Sequence, residues 1–254
     1  MWDWISDLFE LRANGTPGVL VTVVGTVGSA PREEGAKMLV LGDGSFRGTI
    51  GGGHLEELAL AEAKLRLGSG ENKTIRYPLG AKTGQCCGGT VDLFFEVLNQ
   101  GPSLYLFGAG HVGQAVCKTL EGTPFLVHVI DDRDDWIRAE RFPRTVVRHH
   151  CEWDEFARAA RWDASRTYVA IMTHRHDTDE DIVRELVHKP SRYFGLIGSQ
   201  SKWERFQQRL TVRGLTETQL ARVKCPLGID VGGKAPQEVA ISLAAELLRV
   251  HYGR

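Results

Sequence analysis

The chain has 254 residues, 42% hydrophobic and 25% charged, a balance that buries a core and, at roughly 150 residues per domain, favours two domains over one. Lys and Arg number 31 against 32 Asp and Glu, a formal net charge of −1, which excludes the basic footprint that nucleic-acid binding demands. Glycine is the outlier at 29 residues, where a usual share of about 7% gives roughly 18. It carries no collagen period or low-complexity tract. Residues 1–10 show neither the basic n-region nor the apolar run of a secretory signal. No window approaches a membrane-spanning apolar run. Five cysteines, an odd number, fit a reduced compartment better than a disulfide scaffold. A soluble cytoplasmic protein with no nucleic-acid or membrane partner is expected.

In chain order, a short amphipathic helix comes first, and its Trp2, Trp4 and Phe9 predict an exposed aromatic interface for a homodimer. Residues 19–24, almost continuously β-branched, read as a buried strand. Segments 36–41 and 45–50 flank Gly42-Asp43-Gly44 and predict a hairpin. Leu55, Leu58, Ala59, Glu62 and Leu65 fall at helical spacing over 55–67, and the glycines at 68 and 70 stop that helix. Segments 73–77 and 90–97 are two more strands, so 1–98 reads as one α+β domain. Past a polar linker the pattern alternates. Strands are expected at 104–107, 125–130, 145–148, 167–172 and 193–197, and helices at 112–121, 153–160, 177–187, 202–213 and 236–250. That alternation predicts an α/β chain whose second domain, 99–254, is a Rossmann-like doubly wound parallel sheet.

Several motifs carry candidate chemistry. Gly108-Ala-Gly110-His111-Val-Gly113 follows a strand and opens a helix, and Asp131-Asp132 lies near the roughly 20-residue offset of a ribose-binding carboxylate. The Rossmann scaffold this predicts serves a dinucleotide, another phosphorylated ligand or none. Gly51-Gly52-Gly53-His54-Leu-Glu56 sets three glycines before a helix start, where N–H groups and the helix dipole suit an anion. Cys86-Cys87 precedes two further glycines. With no CxxC or HxxxH partner it makes a poor zinc site, and its thiolate either holds a soft metal, relays sulfur or packs as a buried cysteine. Cys117, Cys151 and Cys225 are assigned to packing. His174 and His176 sit at the carboxyl end of a parallel strand, as acid–base groups or in a solvated loop capped by Asp177 or Asp179. Arg32 with Lys37, and Lys234 behind Gly232-Gly233, offer cations to a phosphate. Arg205, Arg209 and Arg213 at four-residue spacing read as a solvated helix face.

Taken together, Gly28-Ser-Ala-Pro-Arg32, Gly35-Ala-Lys37-Met, Gly48-Thr-Ile-Gly-Gly-Gly-His54-Leu-Glu56 and Cys87-Gly-Gly89 resemble the N-terminal domain of the XdhC/CoxI family. Thr173-His-Arg-His-Asp177, Gly195-Leu-Ile-Gly-Ser199 and Gly233-Lys-Ala-Pro-Gln-Glu238 resemble its C-terminal domain, so the resemblance covers nearly the whole chain. It implies a molybdenum-cofactor chaperone: a protein that binds molybdopterin-Mo, keeps it while a cysteine desulfurase replaces an oxo ligand by sulfido, and delivers it to xanthine dehydrogenase. Related CoxI-type sequences often carry Cys at the position of His54, so His54 points to the xanthine dehydrogenase branch and purine catabolism. Cys87, which abuts the glycines, is the expected metal ligand, with Cys86 as the alternative sulfur. The Rossmann half is a second place for a nucleotide. The competing class is an NAD(P)-dependent oxidoreductase, which Gly108–Gly113 with Asp131 favours. Against it, no Tyr-x-x-x-Lys pair follows the fold and no separate C-terminal substrate domain is present.

Overall fold

Alternating apolar residues in five short segments give the N-terminal part its sheet. The computed structural model describes residues 2–13, 15–80, 88–99 and 101–253, and the chain divides into two compact units, Met1–Gln100 and Gly101–Arg254. In the first unit β1 (Gly18–Val27) is central. It pairs antiparallel with β2 (Lys37–Leu41), so that Val21 lies opposite Met38, and with β5 (Thr90–Leu98). The outer strands β3 (Phe46–Gly48) and β4 (Lys73–Pro78) complete the order β3-β2-β1-β5-β4.

One face of this sheet presents Val19, Val21, Val23, Met38, Leu93 and Phe95 to α2 (Gly53–Ser69). Leu55, Ala59 and Ala63 form the helix's buried stripe, and the two alanines let helix and sheet approach closely. Leu65 is not part of the stripe. It is 62% exposed, because the buried positions repeat every four residues and Leu65 falls off that line. Gly70 in the left-handed conformation ends the helix. Helix α1 (Trp4–Ala13) covers the other face with Leu8 and Leu11 over Leu20 and Leu39. Trp2 and Trp4 fold back into that cluster. The Trp2 indole donates to Asp7 at 2.5 Å, and the Lys37 ammonium sits 5.1 Å from the Trp4 ring. The aromatic face expected to be exposed is therefore reduced to Phe9 with Ile5; both tryptophans prefer the unit's own sheet to solvent.

The second unit alternates strand and helix. Its strands are β6 (Ser103–Phe107), β7 (Leu126–Asp131), β8 (Val147–His150), β9 (Thr167–Ile171), β10 (Tyr193–Leu196) and the two-residue β11 (Val223–Lys224). All pair in parallel, in the order β11-β10-β9-β6-β7-β8. Its helices are α3 (His111–Thr119), α4 (Asp134–Ile137), α5 (Trp153–Ala159), α6 (His176–Leu186), α7 (Gln200–Val212), α8 (Glu217–Leu220) and α9 (Pro236–Tyr252). On one face Val116, Leu120, Leu243 and Leu247 of α3, its C-cap and α9 bury against Leu104, Leu106 and Val127. On the other, Phe156, Ile182, Trp203 and Phe206 of α5–α7 bury against Phe107, Ile171 and Phe194. The predominance of continuously buried strands, β9 being buried at all five positions, reflects helices on both faces. No helix among the described residues is long and apolar enough to cross a membrane.

On the α5 face His128 of β7 and His149 of β8 share a 3.0 Å hydrogen bond beside Phe156. Burial, with a contribution from the neighbouring His149, pushes the His128 pKa down to about 4, and burial lowers His149 as well. The unfolded chain takes up these protons near pH 6.5 while the folded pair resists them. Stability is therefore full above about pH 6.5 and is lost as pH falls from there towards 4. Unfolding free energy measured by denaturant titration is expected to drop by up to about 3 kcal/mol across that window. His128→Gln should remove much of the slope; an identical slope in the variant rules the pair out as its source.

Candidate functional site

In the first unit, the loops carrying the sequence motifs meet at one end of the sheet because their glycines let backbone lie on backbone. Gly28 has φ +74°, and a Cβ there would stand 3.2 Å from the Gly89 Cα; one on Gly89 would overlap the carbonyl oxygens of Val27 and Ser29. Gly51, at φ +84°, faces Arg32, whose Cγ would lie 2.7 Å from an added Cβ. Segments 28–32, 49–53 and 88–89 are thus gathered together. Glu56 secures them: its carboxylate accepts from the Thr49 hydroxyl at 2.5 Å and from the Gly51 N–H at 3.3 Å. Gly52 begins α2 at φ +77° with no side-chain cap, so the first N–H groups of the helix keep their capacity for an anion. A side chain at Gly53 would meet no described atom within 4 Å. Arg32 and His54 are exposed beside this opening, the His54 Nδ1 lying 3.2 Å from Glu57. Lys37 is not brought to Arg32. It lies on the α1 face, donating to the Thr22 hydroxyl at 3.2 Å and covering Trp4, because alternate strand residues point to opposite faces. Cys86 and Cys87 lie outside the described residues.

The second unit gathers its polar residues at the carboxyl ends of the parallel strands. Gly108, at φ +117°, has no room for a Cβ against the Met172 carbonyl, and Gly113 has none against the Gly108 carbonyl. Asp131, at the end of β7, is buried. One carboxylate oxygen accepts from the Ala109 N–H at 2.7 Å, and both are held by the Arg133 guanidinium at 2.7 and 2.8 Å. Burial pushes its pKa upward, but the Arg133 and Ala109 hydrogen bonds outweigh this and hold it below the ordinary value. The group expected at a ribose thus fastens the glycine loop. Asp132 is exposed at the rim.

His174 and His176 diverge. His174 faces a pocket of about 140 Å³ with Asp132, Cys151 and Trp153, whereas His176 lines a cleft of about 560 Å³ with Ser199, Lys202 and Arg205. Neither Asp177 nor Asp179 caps α6, whose N-cap is Arg175 without a side-chain bond. Asp179 is instead buried inside the helix. It accepts from the Thr173 N–H at 3.0 Å, the Thr173 hydroxyl at 2.7 Å and the Lys202 ammonium at 2.7 Å. Spacing does not distinguish Lys202 and Ser199 from surface residues; their one signal in the sequence is proximity to the 195–199 segment. Nor is the arginine row a merely solvated face, since Arg209 and Arg213 reach the buried Glu180 at 2.6 and 3.4 Å. Lys234 is exposed, and the space beside Gly233 is filled by the Glu238 carboxylate. Gln237 bonds Thr119 at 2.9 Å, at the end of α3 about 13 Å along the helix from the glycine loop.

Residues 104–247 match the XdhC Rossmann domain, and residues 11–78 match the XdhC and CoxI family. The chain belongs to the XdhC and CoxI family. Relatives include YqeB of Escherichia coli K12, 34% identical over 95% of this chain and 45% of that protein. A probable xanthine dehydrogenase subunit of Bacillus subtilis 168 is 24% identical over 63% of this chain and 46% of the relative. The chain thus spans less than half the length of each of these two family relatives. The molybdenum cofactor insertion chaperone PaoD of E. coli K12 is 26% identical over 95% of this chain and 86% of its own. A crystal structure of a xanthine dehydrogenase from Bacillus halodurans shares the fold, with a TM-score of 0.53 at 22% identity over 100% of this chain and 97% of that one.

The Lys202–Asp179 pair, with side chains 14% and 2% exposed, ties the helix after β9 to the helix after β10. Lys202→Met leaves a buried carboxylate without its cation and should lower stability by about 3 kcal/mol. Adding Asp179→Asn should recover more than half of that loss in a denaturant titration; strictly additive losses would show that the two groups do not depend on each other.

Proposed function

We propose that this protein is a cytoplasmic chaperone for the molybdenum cofactor, serving a client of the xanthine dehydrogenase type. The observation that carries the reading is the meeting of segments 28–32, 49–53 and 88–89 around an uncapped helix start with an exposed arginine. Molybdopterin ends in a phosphate, and Arg32 with the first N–H groups of α2 suits that end. Gly53 leaves room for the phosphate to approach the backbone. His54 adds a polar edge for the pterin. Cys87, directly before Gly88, is the sulfur ligand for the soft molybdenum end, with Cys86 as its neighbour. The cargo is held here while a cysteine desulfurase supplies sulfur, and is then inserted into apo-xanthine dehydrogenase. Glu56 acts on the glycines, and Lys37 has no part in the site. The names of the PaoD and B. subtilis relatives support the same direction.

The chain purified without oxygen from cells making the cofactor should carry pterin and molybdenum in near-equal amounts. Gly53→Val and Arg32→Ala should each lower retained pterin at least tenfold with the melting temperature unchanged, while Cys87→Ala should impair retention or sulfuration in a folded protein. Wild-type protein free of pterin, or full retention by Gly53→Val, overturns the assignment.

A further inference from the structure

Helices α6 and α7 of the second unit border a cleft of about 560 Å³, whose apolar lining includes Ile197 and Phe206. A volume of this size accommodates a small organic molecule. Most of the charge around it is already committed. The Lys202 ammonium on α7 holds the buried Asp179 of α6 at 2.7 Å, and the Arg209 guanidinium holds the buried Glu180 at 2.6 Å. Both cations also stand 5.2 Å from the Phe206 ring. These two bridges fix the helices on either side of the cleft and cancel their own charges.

Two charged groups in the lining are left over. Lys202, Arg205 and Arg209, three and four residues apart, share one face of α7. The middle one, Arg205, lines the cleft and has no hydrogen-bond or ion-pair partner among the described residues. Asp177, in the first turn of α6, lines the same cleft and is likewise without a partner among them. Both are exposed to an entering molecule. His176 and Ser199 add hydrogen-bonding groups to the lining. One uncommitted cation from α7 and one uncommitted anion from α6 thus share a cleft with an apolar part.

This pairing discriminates by charge. A simple anion is attracted by Arg205 and repelled by Asp177, and a simple cation meets the reverse. A molecule carrying both charges is attracted twice. We propose that the cleft binds a small zwitterion of the amino-acid class, its carboxylate on Arg205 and its ammonium on Asp177. The planar guanidinium fork matches a carboxylate in bidentate fashion, the Asp177 carboxylate accepts from the ammonium, and an apolar side chain lies against Ile197 and Phe206. This goes beyond the chaperone reading and holds whether or not the first unit retains pterin.

Titration calorimetry of the full chain with leucine, phenylalanine and γ-aminobutyrate tests it without any molybdenum. The controls are the N-acetyl derivative of each, which lacks the ammonium, and the amide of each, which lacks the carboxylate. At least one zwitterion should bind saturably, and about tenfold or more tighter than either of its singly charged derivatives. Arg205→Gln should abolish the preference over the amide, and Asp177→Asn the preference over the N-acetyl compound. A variant that weakens all probes alike and keeps both preferences acts through packing, and that result overturns the site. So does no saturable binding of any zwitterion, equal binding of the singly charged derivatives, or tighter binding of inorganic phosphate than of every zwitterion.

Discussion

Backbone running directly against backbone is the constraint on which both units depend. In the first, Gly89 fits under Val27 and Ser29, and Gly51 against Pro31. In the second, Gly108 fits under Met172 and Gly113 against Gly108. Each contact removes the width of a side chain from between two segments, so loops distant in sequence come within reach of one small ligand. The same glycines cost conformational entropy on folding, and the cost is offset locally by polar side chains that pin them. Glu56 holds Gly51, and Asp131 holds Ala109.

These two carboxylates change what an acidic residue beside a glycine loop means. A carboxylate offers about four acceptor positions, and Asp131 has committed its own to Arg133 and Ala109. Such a group acts on the ligand only through the shape of the loop it holds. Asp179 has the same character two strands further along the sheet, with its bonds divided between Thr173 and Lys202. The carboxyl edge of the parallel sheet is therefore a surface whose loops are tied down individually while the clefts between them stay open.

Much of this was legible in the sequence for a physical reason. Strong periodicity and glycine punctuation are local signals, and β1, α2, β6, α3 and β9 follow them to within a few residues. The two-residue β11 and the single-turn α4 and α8 are too short to show any period, and they exist because the sheet and the helical layers around them are already in place. Side-chain partners were the harder part. Arg209 and Arg213 read as solvent-facing because Glu180, some thirty residues earlier, carries no mark of burial in the sequence. Lys37 and Arg32 are five positions apart, yet the strand alternation turns Lys37 to the α1 face, against Thr22 and Trp4.

The loop before α9 shows what this implies for reading a glycine next to a lysine. The Glu238 carboxylate accepts from the Ala235 N–H at 2.8 Å and occupies the space over Gly233. Being tethered one turn away, it competes at an effective concentration far above that of any free phosphate. This helix start is already filled by an anion the chain supplies. Glycine-flanked helix starts differ in where such a competitor sits: the chain's own carboxylate bonds the N-cap residue of α9, but the residue before the N-cap in α2 and α3.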